Sequence, residues 1–143
     1  MRSYRIQEAD LTLPEAWADE TINAFVLPRG GGDGQASFVV TRDRAQREAT
    51  LEAYCDAQLV EAAKKLGGFQ LGWRRPVPLD GAEAMELDYA WTTPEGVALR
   101  QRQIYAKRPE GFLIFTLTAR RGDYALHERG FVEAMASIRL GQR

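Results

Sequence analysis

Glu86 and Asp88 stand two residues apart in an alternating segment, the spacing at which a strand projects both carboxylates from one face. Such a pair could act as general acid and base. Arg100 and Arg102 repeat that parity on the next alternating segment, so charge pairing between neighbouring strands accounts for all four residues without chemistry. The single histidine, His127, lies between Leu126 and Glu128 with no motif around it and is expected on the wet side of a helix. The single cysteine, Cys55, falls in an apolar helical stripe and is expected to be a buried thiol rather than a nucleophile. The glycine-rich stretch Gly30–Gly34 lacks the Gly-Lys-Ser/Thr and following helix of a phosphate loop. A hairpin tip is the simpler expectation. One histidine and one cysteine leave no set of metal ligands. No enzyme, no cofactor and no metal are expected.

Three glutamines are less ordinary. Gln58 lies on the apolar stripe of a helical segment, while Gln101 and Gln103 share a strand face with Leu99 and Tyr105. They sit either at the wet edge of the core or on a surface that serves a partner, because a buried amide must find hydrogen bonds.

These residues need elements to hold them. Tyr4–Leu13 reads as one or two short strands, and Thr21–Leu27 as a β-branched and aromatic strand stopped by Pro28. Ala36–Thr41 is its hairpin partner. Leu51, Tyr54, Cys55, Gln58, Leu59, Ala62 and Leu66 recur at helical spacing, with Thr50 as the cap and Gly67-Gly68 as the stop. An extended segment to Leu79 follows, then a turn at Asp80-Gly81 and strands over Ala84–Thr92, Val97–Lys107 and Phe112–Ala119. The last is apolar on both faces and is expected to be central and doubly covered. A second helix runs from Asp123 towards Ile138. The order predicts one α+β domain over residues 1–143, an antiparallel β-sheet with both helices packed on one face. Several strands are apolar on both sides, so another subunit or a client is expected over the second face.

The chain has 143 residues, 45% hydrophobic and 27% charged, with 19 Lys plus Arg against 20 Asp plus Glu. That balance leaves no field to draw it to nucleic acid or an anionic membrane. The first ten residues hold no apolar core of a secretory signal. A cytoplasmic protein with no membrane insertion is expected.

The run Tyr4–Pro14 with Trp17, Thr21–Phe25, Ala36–Arg42, Leu87–Trp91 and Arg102-Gln103, in this order and spacing, resembles the DcrB-related Eag family across the whole chain. The resemblance implies a PsbP-like α/β fold and a cytoplasmic homodimer. It implies a chaperone of type VI secretion that shields N-terminal transmembrane segments of an effector, Rhs-type or similar. It also implies an indirect link to the VgrG spike through that effector. Ile22 and Ala24 match hydrophobic positions of that family's client-binding face. Strand parity and the glutamines add Val26, Val39, Gln58, Leu99, Gln101 and Gln103 as expected client contacts. The alternative is a small-ligand or protein-binding module of the wider DcrB/PsbP-like group without a chaperone role, for which a monomer with an enclosed pocket is expected.

Overall fold

The computed structural model describes residues 1–28 and 36–141. The Gly30–Gly34 loop lies outside the described residues. A hairpin of β1 (Arg2–Arg5) and β2 (Asp10–Leu13) stands apart from the main sheet. The main sheet holds β3 (Asn23–Val26), β4 (Ser37–Asp43), β5 (Gly67–Leu79), β6 (Ala82–Thr92), β7 (Ala98–Arg108) and β8 (Gly111–Arg120). Their spatial order is β3-β4-β8-β7-β6-β5, antiparallel throughout. Helix α1 (Leu51–Lys65) joins β4 to β5, and α2 (Tyr124–Ala136) follows β8.

Local chemistry sets these boundaries. The Thr50 side chain accepts a hydrogen bond from the Ala53 amide and caps α1. Asp80 and Gly81 both take positive φ, 47° and 78°, the two-residue turn that matches strand twist. At the β7–β8 turn Gly111 has φ +142°, and a Cβ there would collide with the Asp43 carbonyl beside it. The β5 edge is interrupted by Pro76, Pro78 and two register shifts, which protect it from further pairing. The opposite edge, β3, has none of these guards.

The helices lie on opposite faces, which corrects the expectation of two helices on one face. Tyr54 and Cys55 of α1 pack with Leu87, Tyr89, Tyr105 and Phe112. Tyr124 and Phe131 of α2 pack with Ile104, Ala106, Phe115 and Leu117. Ile104 and Tyr105 are consecutive in one strand, so they project to opposite sides. Near their shared turn, β7 and β8 are apolar on both sides, Ile104, Ala106 and Phe115 against Tyr105 and Phe112, because each side receives its own helix. The expectation of a doubly covered β8 is corrected likewise. Phe115, Leu117 and Ala119 are buried under α2, whereas Thr116 and Thr118 on its other side are only half-buried.

The α2 face carries the charged residues. Glu86 is buried and accepts hydrogen bonds from Trp73 Nε1 at 2.8 Å, Arg75 Nε at 2.9 Å and Arg102 Nε at 3.0 Å. Arg100 holds Asp88 in a fork with both bonds at 3.1 Å and lies 3.8 Å over the Tyr124 ring. Arg102 reaches on to Glu128 of α2 at 3.4 Å. The pairing expected of Glu86, Asp88, Arg100 and Arg102 is therefore present, under a helix rather than in open water.

At the N-terminal side, Asp19 accepts from the Tyr4 and Thr21 hydroxyls and from the Thr21 amide. The Thr21 and Tyr4 hydrogen bonds hold its carboxyl below the usual range, down to about 2. A lowered carboxylate pKa contributes stability that is complete above the unfolded value and lost as pH falls through the folded one. The Thr21 amide resonance should thus stay in place from neutral pH to about pH 3 and shift only towards pH 2. A midpoint near the ordinary aspartate value would contradict this cluster. Glu86→Ala removes one acceptor from three donors. In urea unfolding it should cost about 3–5 kcal/mol, and a loss under about 1 kcal/mol would show that the network does not hold α2 in place.

Candidate docking face

On the α1 face, the helix covers β5, β6 and β7 and reaches the Phe112–Ile114 end of β8. The remaining surface belongs to β3, β4 and the rest of β8. Register arranges it in rows across the strands. Ala24 lies opposite Val39, Val39 opposite Thr116, and Thr116 opposite Gln103. The next row runs Val26, Ser37, Thr118 and Gln101. Thr41 and Ile114 are paired in the row on the other side. Phe38 and Val40 pack into the α2-side core, which fixes Ser37, Val39 and Thr41 on the α1 side. None of these side chains is ionisable.

Six of the expected contacts are brought together here. Ala24, Val26, Val39, Leu99, Gln101 and Gln103 share one sheet face. Ala24 and Val26 are exposed, Val26 at 69%, while Val39 and Leu99 are half-buried. Ile22 precedes β3 directly and is 62% exposed. The chain beside it is held by Arg42, which donates to the Thr21 carbonyl at 3.1 Å and to Asn23 Oδ1 at 2.7 Å. Gln58 comes from α1 and lines a cavity of about 250 Å3 with Gln103, Leu87, Tyr89 and Tyr105. Leu99 sits at the margin, opposite Arg120 and Trp91.

The glutamines differ in what they can offer. Gln103 Oε1 accepts both the Tyr89 hydroxyl at 3.0 Å and the Tyr105 hydroxyl at 2.5 Å, and its Nε2 donates to Thr116 Oγ1 at 3.2 Å. Burial pushes the Tyr89 phenol up to about 12 and Tyr105 higher still, so both stay protonated donors. Gln103 is therefore a structural tie between β6, β7 and β8 with one amide hydrogen to spare. Gln58 and Gln101 make no side-chain hydrogen bond among the described residues and keep their full capacity.

The hydroxyls of Ser37, Thr41, Thr116 and Thr118 also belong to this face, and none was singled out from the sequence. The alternation Ile114, Thr116, Thr118 was the available signal. Two other expectations resolve away from the face. Cys55 is fully buried in α1, and burial raises its thiol to about 11, which suits a packing role. His127 is buried at 6% exposure, which corrects its expected place in water. It shares the inward stripe of Tyr124 and Phe131, at spacings of three and four. No helix among the described residues is long and apolar enough to cross a membrane.

A family model described as DcrB matches residues 8–137. Effector EagT6 of Pseudomonas aeruginosa is 41% identical over 138 residues, covering 96% of this chain and 95% of that protein. The crystal structure of a Pseudomonas aeruginosa protein of unknown function superposes with a TM-score of 0.87 at 40% identity, covering 100% of this chain and 99% of that one. LpqN of Mycobacterium tuberculosis, described as involved in cell envelope biogenesis, is similar in fold alone. Its TM-score is 0.50 at 16% identity, over 82% of this chain and 80% of that one. With nearly its whole length matched at this level, the chain belongs to the DcrB family and, within it, to the Eag group that includes EagT6.

Proposed function

We propose that this protein is a cytoplasmic, non-enzymatic chaperone of type VI secretion. It binds N-terminal transmembrane segments of an effector, Rhs-type or similar, and shields them before the effector loads on the VgrG spike. The observation that carries this reading is the uncovered half of the α1 face, where the rows between Asp43 and Arg120 hold Ala, Val, Ile, Ser, Thr and Gln and no ionisable group. The 41% identity to a protein named Effector EagT6 supports the link to effectors. The client chemistry follows from the surface. A transmembrane helix satisfies its own backbone hydrogen bonds and exposes apolar side chains. In water each 100 Å² of such area costs about 2.5 kcal/mol. Rows with no charges take up that area without leaving an ion unsolvated. The hydroxyls and the unpartnered amides of Gln58 and Gln101 pair with the few polar groups that such a helix carries. No cofactor and no ATP are needed, because moving that area from water onto an apolar face is itself downhill.

A homodimer fits this reading. One open half-face covers only one side of a helix, and two copies related by a two-fold axis enclose more of it. Light scattering at micromolar concentration should give twice the 16.1 kDa chain mass. A monomer throughout that range would favour the small-ligand module instead.

Ile22→Asp puts a carboxylate at the margin of the face. Burying it against a client costs about 3 kcal/mol, enough to weaken capture of an effector N-terminal fragment more than about a hundredfold. The melting temperature should change little, because Ile22 is exposed in the free chain. Phe115→Asp is the contrast, since that buried position lies under α2 and the variant should unfold. Full capture by Ile22→Asp, or melting as early as Phe115→Asp, would sink the assignment of this face. The glutamines should separate in the same assays. Gln103→Leu strands two tyrosine hydroxyls and should lower stability by about 1–3 kcal/mol. Gln101→Leu should leave stability unchanged and weaken only the client. Equal effects on stability would show that Gln101 is also a structural tie.

A further inference from the structure

An apolar groove of about 520 Å3 runs between α2 and the β3–β4 pair, on the face opposite α1. Phe25, Leu27 and Phe38 form one side of it, and Leu126, Phe131 and Ala134 the other. Three features there have no explanation in folding. His127 lines the groove, is only 6% exposed, and its Nε2 has no hydrogen-bond partner among the described residues. Folded chains nearly always pair such an atom, and leaving it bare opposes stability. Gly130 stands in the interior of α2, where glycine is disfavoured relative to alanine. A Cβ at Gly130 would meet nothing within 4 Å among the described residues, so none of them requires a glycine there. Finally, Leu126, Gly130 and Ala134 are spaced by four, so they form one stripe along the groove. Small residues four apart let two helices approach closely.

We propose that this groove holds one apolar α-helix of the client polypeptide, packed on the Gly130–Ala134 stripe with a serine or threonine hydroxyl on His127 Nε2. The proposal rests on the chaperone reading and adds a second site, on the other face of the sheet. A hydroxyl both donates and accepts, so it matches His127 in either tautomer. A helix fits better than an extended segment. The imidazole is the one hydrogen-bonding side chain among the described lining residues, and an extended segment would need a partner for every backbone amide and carbonyl. The bare backbone at Gly130 favours a thick occupant over a thin hydrocarbon chain. Edge strand β3 points Ala24 and Val26 to the open face and sets Phe25 in the groove, with Leu27 just beyond its end. Two client helices joined by a short connection can therefore straddle that edge.

The test uses the full chain and a soluble Leu/Ala/Lys amphipathic peptide of about 18 residues, long enough to hold a helix, with one serine in its apolar face. Calorimetric titration should count two sites per chain. Gly130→Leu fills the groove and should remove one site while keeping or raising the melting temperature. Ile22→Asp should remove the other. His127→Leu should also raise the melting temperature, because it deletes a bare buried nitrogen. It should weaken the groove site about tenfold for the serine peptide and not for its alanine counterpart. If Gly130→Leu and His127→Leu leave both sites intact, the groove proposal is overturned while loss through Ile22→Asp still supports the chaperone reading. If Ile22→Asp is also without effect, that reading fails too. If Gly130→Leu blocks dodecanoate binding but no peptide site, the groove is an acyl-chain site and the proposal is wrong.

Discussion

Six strands at their usual spacing make a sheet about 24 Å across, and a helix with its side chains is about 10 Å wide. Here each face receives one helix. A single helix cannot cover such a face, so part of each side of the sheet must be made acceptable to water or reserved for something else. The two faces solve this differently. Beside α2, the strands β5, β6 and β7 fill the space with Trp73, Glu86, Asp88, Arg75, Arg100 and Arg102, whose ions and donors satisfy one another. Beside α1, the strands β8, β4 and β3 offer small aliphatic and hydroxyl side chains, with ions only at the two ends, Asp43 and Arg120.

That contrast is what gives the chain its functional asymmetry. A closed ionic layer is a poor docking surface, since a ligand would have to displace bonds already made to buried carboxylates. It does fix α2 in register, through Arg102 to Glu128 and Arg100 over Tyr124. The open layer asks little of a partner in desolvation, because few of its polar groups are strongly hydrated. Gln103 stiffens the floor from beneath, with two tyrosine hydroxyls on its carbonyl. The edges follow the same division. Prolines and register shifts guard β5, whereas β3 is exposed at every residue.

Much of the framework was legible in the sequence, for identifiable reasons. Thr50, the Leu51–Tyr54–Cys55 stripe and the glycines after Leu66 define α1 locally, and a capped helix needs no tertiary information. Asp80-Gly81 specifies its turn by φ alone. The parity of Ala24, Val26, Val39 and Gln101 placed them on one face, because a strand alternates strictly. The side on which each helix packs was not legible. Parity divides a strand's residues into two sets without saying which set meets which helix, and β8 holds large apolar residues in both, Phe112 and Ile114 against Leu113, Phe115 and Leu117. The role of Gln103 depended on cross-strand register with Leu87 and Thr116, which sequence spacing does not supply. His127 was misplaced although its spacing from Tyr124 and Phe131 marks the inward stripe, because a polar residue was given to water by type rather than by position.

The central claim is that the uncovered α1 face takes up apolar helices. Methyl NMR of the full chain, titrated with the soluble Leu/Ala/Lys peptide, reads that face directly. The methyls of Ala24, Val26, Val39 and Thr116 should shift together as the peptide is added, while Leu87 beneath α1 stays in place. Peptide binding that leaves those four methyls unmoved would contradict the account.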